Sequence, residues 1–135
     1  MTDRLQDALV RASYEVLDSV ADVAARHDLS MTLLRVIGIL RDRTPTMSEL
    51  ADHLGLDRSS ITGLVDRAAA RGLLQKVTDT ADRRAVRVRL TPAGRNLADT
   101  GVTEIREALA PLVDHLDSDA RGALTALLET LTDAR

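Results

Sequence analysis

The chain has 135 residues, a formal net charge of −3 and no cysteine, so disulfides, thiolate nucleophiles and thiol redox sensing are excluded. Hydrophobic content of 44% beside 29% charged residues fits one ordinary globular domain, here 1–135, and no apolar run reaches the roughly 18 residues of a membrane span. Tyr14 is the single aromatic side chain, which leaves an aliphatic core and no platforms for stacking on single-stranded bases.

Residues 4–26 carry Leu5, Leu9, Ala12, Val16, Val20 and Val23 at three- and four-residue steps, widened by Leu17 and Ala24, and predict an amphipathic helix. The start of the chain is polar and lacks the basic end and apolar block of a signal peptide, so a cytoplasmic protein is expected. Asp28 and Ser30 are candidate caps for a second helix, about 31–42, marked by Leu33, Leu34, Val36, Ile37 and Leu40 and stopped by Pro45. Thr46-Met47-Ser48-Glu49 has capping-box form and opens a short helix over 47–54 that ends at Gly55. Asp57 caps the next, about 58–71, closed by Gly72. Strands are expected at 73–78 and 85–90; the second alternates Val86, Val88 and Leu90 with Arg87 and Arg89. Thr91-Pro92 starts a long helix, about 92–115, which Pro111 is expected to kink or interrupt. Asp117 or Ser118 starts a last helix with Leu124, Leu127, Leu128 and Leu131.

The order α-α-α-α-β-β-α-α contains one motif that fixes the reading. Two short helices crossing closely need a small residue at the contact, and Ala51 supplies it. The turn needs a residue that tolerates positive φ, and Gly55 stands four positions on; a branched residue must then fill the space beneath, and Ile61 is there. Leu50, Leu54, Leu56, Leu64 and Val65 complete the apolar underside of a helix-turn-helix. The opposite face of its second helix presents Asp57, Arg58, Ser59, Ser60, Thr62, Gly63, Asp66 and Arg67, short polar groups suited to base edges and phosphates.

The hairpin that follows reads as a wing with the tip DTADRR. An arginine there can enter the narrow, electronegative minor groove. Arg83 and Arg84 are the tip arginines, Asp82 is placed to orient Arg84, and Arg87 and Arg89 share a strand face that reaches phosphate or solvent. Charge distribution agrees. Residues 35–95 hold 12 of the 18 basic residues but only 7 of the 21 acidic ones, so a basic centre lies between acidic ends. The fold class expected is mainly α with a small β-wing: a winged helix-turn-helix over 31–95, flanked by dimerisation helices at 4–30 and 96–135. The first helix and the last two have more apolar surface than a small winged lobe covers, with Leu5, Leu9, Leu109, Leu112, Leu124, Leu127 and Leu131 as the candidate contacts.

The run SSITGLVDRAAARGLLQKVTDTADRRAVRVRLTPAGR resembles the recognition helix and wing of the multiple-antibiotic-resistance regulator (MarR) family, in its Asp82-Arg83-Arg84 and in Leu90-Thr91-Pro92-Ala93-Gly94. The resemblance implies a homodimeric, sequence-specific repressor of double-stranded DNA acting on a pseudo-palindromic operator and relieved by a small effector. Such effectors in the family are commonly anionic aromatic compounds held between the dimer helices and the DNA-binding lobe; Arg11, Tyr14 and His27 are the candidate lining residues here. No cofactor is expected, and no metal, because His27, His53 and His115 stand far apart with no ligand-rich cluster beside them. Met1, Met31 and Met47 form no evident oxidation sensor.

Other functions fare worse. No Gly-x-Ser-x-Gly, phosphate loop or dinucleotide fingerprint occurs, so no enzyme is expected. His53 with Ser59 or Ser60 is the one constructible nucleophile–base pairing, and its serines lie on the DNA-facing side. The stronger alternative is a winged helix used for protein binding or for weakly specific architectural DNA contact.

Overall fold

In the computed structural model, which describes residues 3–133, six helices surround a two-stranded hairpin. Met1 and the outer ends of the expected 1–135 domain and 96–135 dimerisation segment lie outside the described residues. Helix α1 spans Arg4–Arg26, α2 Met31–Leu40, α3 Met47–Leu54 and α4 Arg58–Ala70; strands β1, Leu74–Thr78, and β2, Val86–Leu90, pair antiparallel; α5 spans Pro92–Val113 and α6 Ser118–Asp133. The register sets Leu74 opposite Leu90 and Lys76 opposite Val88.

Side-chain caps set the helix starts. Asp3, Ser30, Thr46, Asp57 and Thr91 each accept a backbone N–H from the first turn that follows. The α2 cap is Ser30, whose Oγ lies 3.0 Å from the Leu33 nitrogen. Asp28 plays another part, turning the chain at φ 55°, a left-handed conformation that aspartate tolerates better than most residues. Asp117 caps α6 through the Ala120 N–H at 2.8 Å. Helix α5 runs through Pro111 without interruption: the proline has no N–H to donate, yet the helix continues to Val113 and the Asp114 N–H reaches the Ala110 carbonyl at 2.9 Å. Observed boundaries fall one or two residues inside the expected 42, 71, 73, 85 and 115.

The core is wholly aliphatic. Val23 and Ala24 from the end of α1 meet Val36, Ile37 and Leu40 of α2, Leu50 of α3, Ile61, Val65 and Ala68 of α4, Leu74 and Val88 of the hairpin and Ala98 of α5. Two places in this core depend on glycine or its neighbours. Gly55 adopts φ 68° at the end of α3, as the turn of the helix-turn-helix demands, and the Leu56 N–H closes onto the Ala51 carbonyl at 3.0 Å. Gly94 lies against the Leu73 carbonyl so closely that a Cβ would overlap the oxygen. Thr91 holds that junction: its N–H donates to the Leu73 carbonyl at 3.0 Å, its hydroxyl donates to the Gly72 carbonyl, and its Oγ1 accepts the Gly94 N–H. The Leu-Thr-Pro-Ala-Gly sequence is thus the joint between wing and α5.

The two ends of the chain differ from this lobe. Residues 4–18 of α1 are exposed, and α6 buries none of its residues.

Candidate DNA-binding interface

Helix α4 forms a ridge between two shallow, open grooves. One, of about 360 Å³, is lined by Thr46, Met47 and Ser48 from α3 and its cap, Arg58 and Thr62 from α4, and Lys76, Arg84, Ala85 and Val86 from the hairpin. The other, of about 490 Å³, is lined by Ser30, Thr32 and Leu56 and by Ser59, Ser60, Gly63, Leu64 and Arg67 of α4. The α4 residues expected to face DNA are therefore brought together on one protruding helix, with Arg58 and Thr62 on its wing side and Ser59, Ser60, Gly63 and Arg67 on the other. The underside is sealed: Ile61 is 1% exposed and Val65 is fully buried.

The start of α4 is stiff. One Asp57 oxygen accepts the Ser60 N–H at 2.7 Å and the Ser59 hydroxyl at 2.9 Å. The Ser60 backbone N–H, then the Ser60 and Ser59 hydroxyls, hold the Asp57 carboxyl below its usual range. A fixed anion at this position rejects phosphate and offers an acceptor of the kind that takes a cytosine amino group. Lys76 of β1 reaches Asp66 at 2.7 Å and ties the wing to the flank of α4.

The wing separates the arginines that the sequence places together. Arg84 is free at the tip, its side chain 96% exposed, and Arg83 and Arg89 are also exposed. Asp82 serves mainly the backbone: its Oδ1 accepts the Arg84 N–H at 3.0 Å, while the Arg84 Nε stands 3.7 Å away. Arg87 turns inward instead. Its Nε donates to Asp79 Oδ2 at 3.0 Å and its Nη1 to the Thr44 carbonyl at 2.7 Å. The expectation that Arg87 and Arg89 present one common surface therefore gives way for Arg87, since a buried carboxylate and a loop carbonyl already engage two of its donors. Beside it the Val88 N–H bonds the Pro45 carbonyl at 2.9 Å, and Thr46 bridges to Arg87. The α2–α3 connector thus lies against β2 through a single isolated antiparallel bridge. Asp79 and Thr44 were not singled out by sequence; only the period-two position of Asp79 near Arg87 hinted at a partner.

The other sequence-selected residues lie elsewhere. Leu5, Leu9, Leu124, Leu127 and Leu131 are exposed on α1 and α6, and Leu109 and Leu112 are half-buried on α5. Arg11 and Tyr14 are exposed on α1. His27 lies some 24 Å further along the axis from residue 11, at the 1.5 Å helical rise, and the structure does not bring the three together within one chain. The His27 Nε2 instead lies 3.0 Å from Glu104 Oε2. Among the described residues no group of three His, Asp or Glu could hold a metal ion, and no helix is long and apolar enough to cross a membrane.

A helix-turn-helix with an arginine-tipped hairpin beside its second helix defines a winged helix-turn-helix protein of the DNA-binding class. The comparisons with known proteins agree. A model of the MarR family matches residues 27–85. The chain is 29% identical over 131 residues to the homoprotocatechuate degradative operon repressor of Escherichia coli, covering 96% of this chain and 88% of that one. It is 34% identical over 96 residues to the transcriptional repressor NicR of Pseudomonas putida, covering 70% and 61%. Among solved structures, apo MarR of E. coli superposes with a TM-score of 0.81 at 20% identity over 97% and 98% of the two chains. BpsR of Bordetella bronchiseptica, whose DNA binding is regulated by 6-hydroxynicotinic acid, superposes at 0.78 with 27% identity over 98% and 96%. The chain belongs to the MarR family and is a DNA-binding transcriptional regulator.

Proposed function

We propose that this regulator is a homodimeric repressor that reads a pseudo-palindromic operator and is released by a small anionic aromatic effector. The observation that carries the reading is the ridge of α4 standing between two open grooves, one of which it shares with the arginine-bearing wing. A ridge of short polar side chains suits the major groove, and Arg84 at the wing tip suits the neighbouring minor groove. In this reading Arg58, Ser59, Ser60, Thr62, Gly63 and Arg67 meet bases and phosphates, Arg83 and Arg84 extend the contact, and Arg89 meets the backbone. Arg87 and Asp82 shape the wing.

Dimerisation is supported by the exposed leucines of α1 and α6. Leu5 is 73% and Leu127 65% exposed, and a two-fold pairing of the terminal helices would remove them from water. The effector class is supported by relatives: one represses an operon of homoprotocatechuate degradation, BpsR responds to 6-hydroxynicotinic acid, and NadR has been solved with 4-hydroxyphenylacetate. Arg11, Tyr14 and His27 are the residues to examine for its binding. The exposed Arg11 offers a cation for a carboxylate and Tyr14 a ring face. The cytoplasm is the expected compartment, as for any regulator that must reach DNA.

The experiment is selection of binding sites from a random duplex library. An enriched inverted repeat with half-sites about 10 bp apart, or a small multiple, supports the reading. Recovery of unenriched sequence turns the winged helix over to protein binding or weakly specific DNA contact.

A further inference from the structure

We propose that Arg71 is a positioning residue for the recognition helix, anchoring the C-terminal end of α4 to the turn between α1 and α2, and that the His27–Glu104 contact carries this anchor on to α5. The inference rests on the reading of α4 as the operator-reading helix. Arg71 is the C-cap residue, directly after the last residue of α4, Ala70. Its Nη1 donates to the Asp28 carbonyl at 2.8 Å and its Nη2 to the His27 carbonyl at 3.1 Å, across more than 40 residues of sequence. Those two carbonyls stand just past the end of α1, where helix-end oxygens lack partners of their own and a cation is favoured. The left-handed turn at Asp28 belongs to the same junction. One planar guanidinium takes two successive carbonyls, a geometry that the single ammonium of lysine does not reproduce.

His27 makes the junction a relay. Its carbonyl holds α4 through Arg71, while its ring nitrogen lies 3.0 Å from Glu104 of α5, a carboxylate that Arg26 also approaches at 3.6 Å. The wing-side tether of α4, Lys76 to Asp66, lies on a different flank. Helix α4 has 13 residues, about 20 Å, so freedom at its C-terminal end displaces Ser59 and Thr62 at the other. Arg71 is exposed, but its guanidinium is engaged by two protein carbonyls, which distinguishes it from Arg83 and Arg84.

The test titrates wild type, Arg71→Ala, Arg71→Lys, Glu104→Ala and the double variant Arg71→Ala/Glu104→Ala against the selected operator and a scrambled duplex over a salt series. Thermal unfolding is followed in parallel to show that each variant is folded. Arg71→Ala is expected to weaken operator binding about tenfold, the scale of hydrogen bonds to a charged group, and to lower the operator-to-scrambled ratio with no change of salt slope. Arg71→Lys should not restore the ratio, and the double variant should be no weaker than Arg71→Ala alone. A slope reduced by about one unit with both duplexes weakened equally marks a phosphate contact and overturns the anchor. So does full rescue by lysine, and additive losses overturn the relay to α5. Wild type without any sequence preference sinks the operator reading itself. A wild-type preference that Arg71→Ala retains in full sinks only the anchor.

Discussion

The Arg87 guanidinium is held by the Asp79 carboxylate, Nε to Oδ2 at 3.0 Å, in a residue only 8% exposed, while the other Asp79 oxygen accepts the Ala81 N–H at 2.9 Å. One carboxylate therefore shapes the wing loop and fixes the arginine that staples the hairpin to the Thr44 carbonyl. The Ala81 backbone N–H has the largest effect and lowers the Asp79 pKa; burial, next in size, raises it, and Arg87 and the Asp82 backbone N–H lower it further, so the carboxyl lies below its usual range. A carboxyl depressed in the folded state adds stability above its unfolded value and loses it as pH falls through the folded value. Wing stability is thus expected to hold from neutrality down to about pH 4 and to fall below it. Asp79→Asn should flatten that acid limb relative to wild type in thermal unfolding from pH 7 to about 2.5; equal acid limbs in the two proteins refute the assignment.

Gly94 tests the joint between wing and α5. Its missing Cβ would overlap a backbone oxygen, which no rotamer change relieves, so Gly94→Ala should cost about 3 kcal/mol or more. Gly38, exposed on α2 with open space around it, is the control: Gly38→Ala should gain roughly 0.5–1 kcal/mol from helix propensity. Denaturant midpoints for the two variants must move in opposite directions.

At the wing tip, Arg84→Ala leaves the fold untouched because the side chain makes one loose contact, to Asp82. Operator binding at low salt should nevertheless weaken by roughly 1–3 kcal/mol, by analogy with good groove contacts. Unchanged affinity removes Arg84 from the minor groove.

Arg89→Ala should act differently, lowering the salt slope of binding by about one unit with little change in sequence preference, as loss of a phosphate contact does. An unaltered slope leaves Arg89 as a solvated strand residue.

The terminal helices make a prediction about assembly. Leu127→Glu with Leu131→Glu places charges on an α6 face whose leucines are 65% and 53% exposed in one chain. If that face pairs across a two-fold, each buried leucine contributes about 1.5–3 kcal/mol, and sedimentation should show monomers where wild type shows dimers. Dimers that survive both changes place the contact elsewhere.

The helix-turn-helix was readable from short-range pattern alone. Ala51, Gly55 and Ile61 are separated by fixed intervals that only one local geometry uses, and the structure buries Ala51 and Ile61 and gives Gly55 its positive φ. Caps and alternation were equally legible at Thr46, Asp57 and the strand Val86–Leu90, because their partners lie within a few residues. The interruption expected at Pro111 does not occur, since α5 continues to Val113.

The candidate site divides along the same line. The α4 face and the exposed Arg83 and Arg84 follow from periodicity and loop composition, but nothing local distinguishes Arg87 from Arg89. That distinction comes from Thr44, 43 residues away, and from Asp79 across the hairpin. Arg71 likewise reads as one more solvated cation until α1 and α4 are packed and its fork meets two carbonyls.

The sequence by itself determined the order of elements, the winged helix-turn-helix and the basic centre between acidic ends, because these depend on spacing and charge within a few turns of chain. Only the tertiary structure decided which arginines face outward and which hold the lobe together, and why Gly94 must lack a side chain. Those outcomes depend on carbonyls and carboxylates that folding brings from distant segments, and a backbone oxygen is the same in every residue of the sequence.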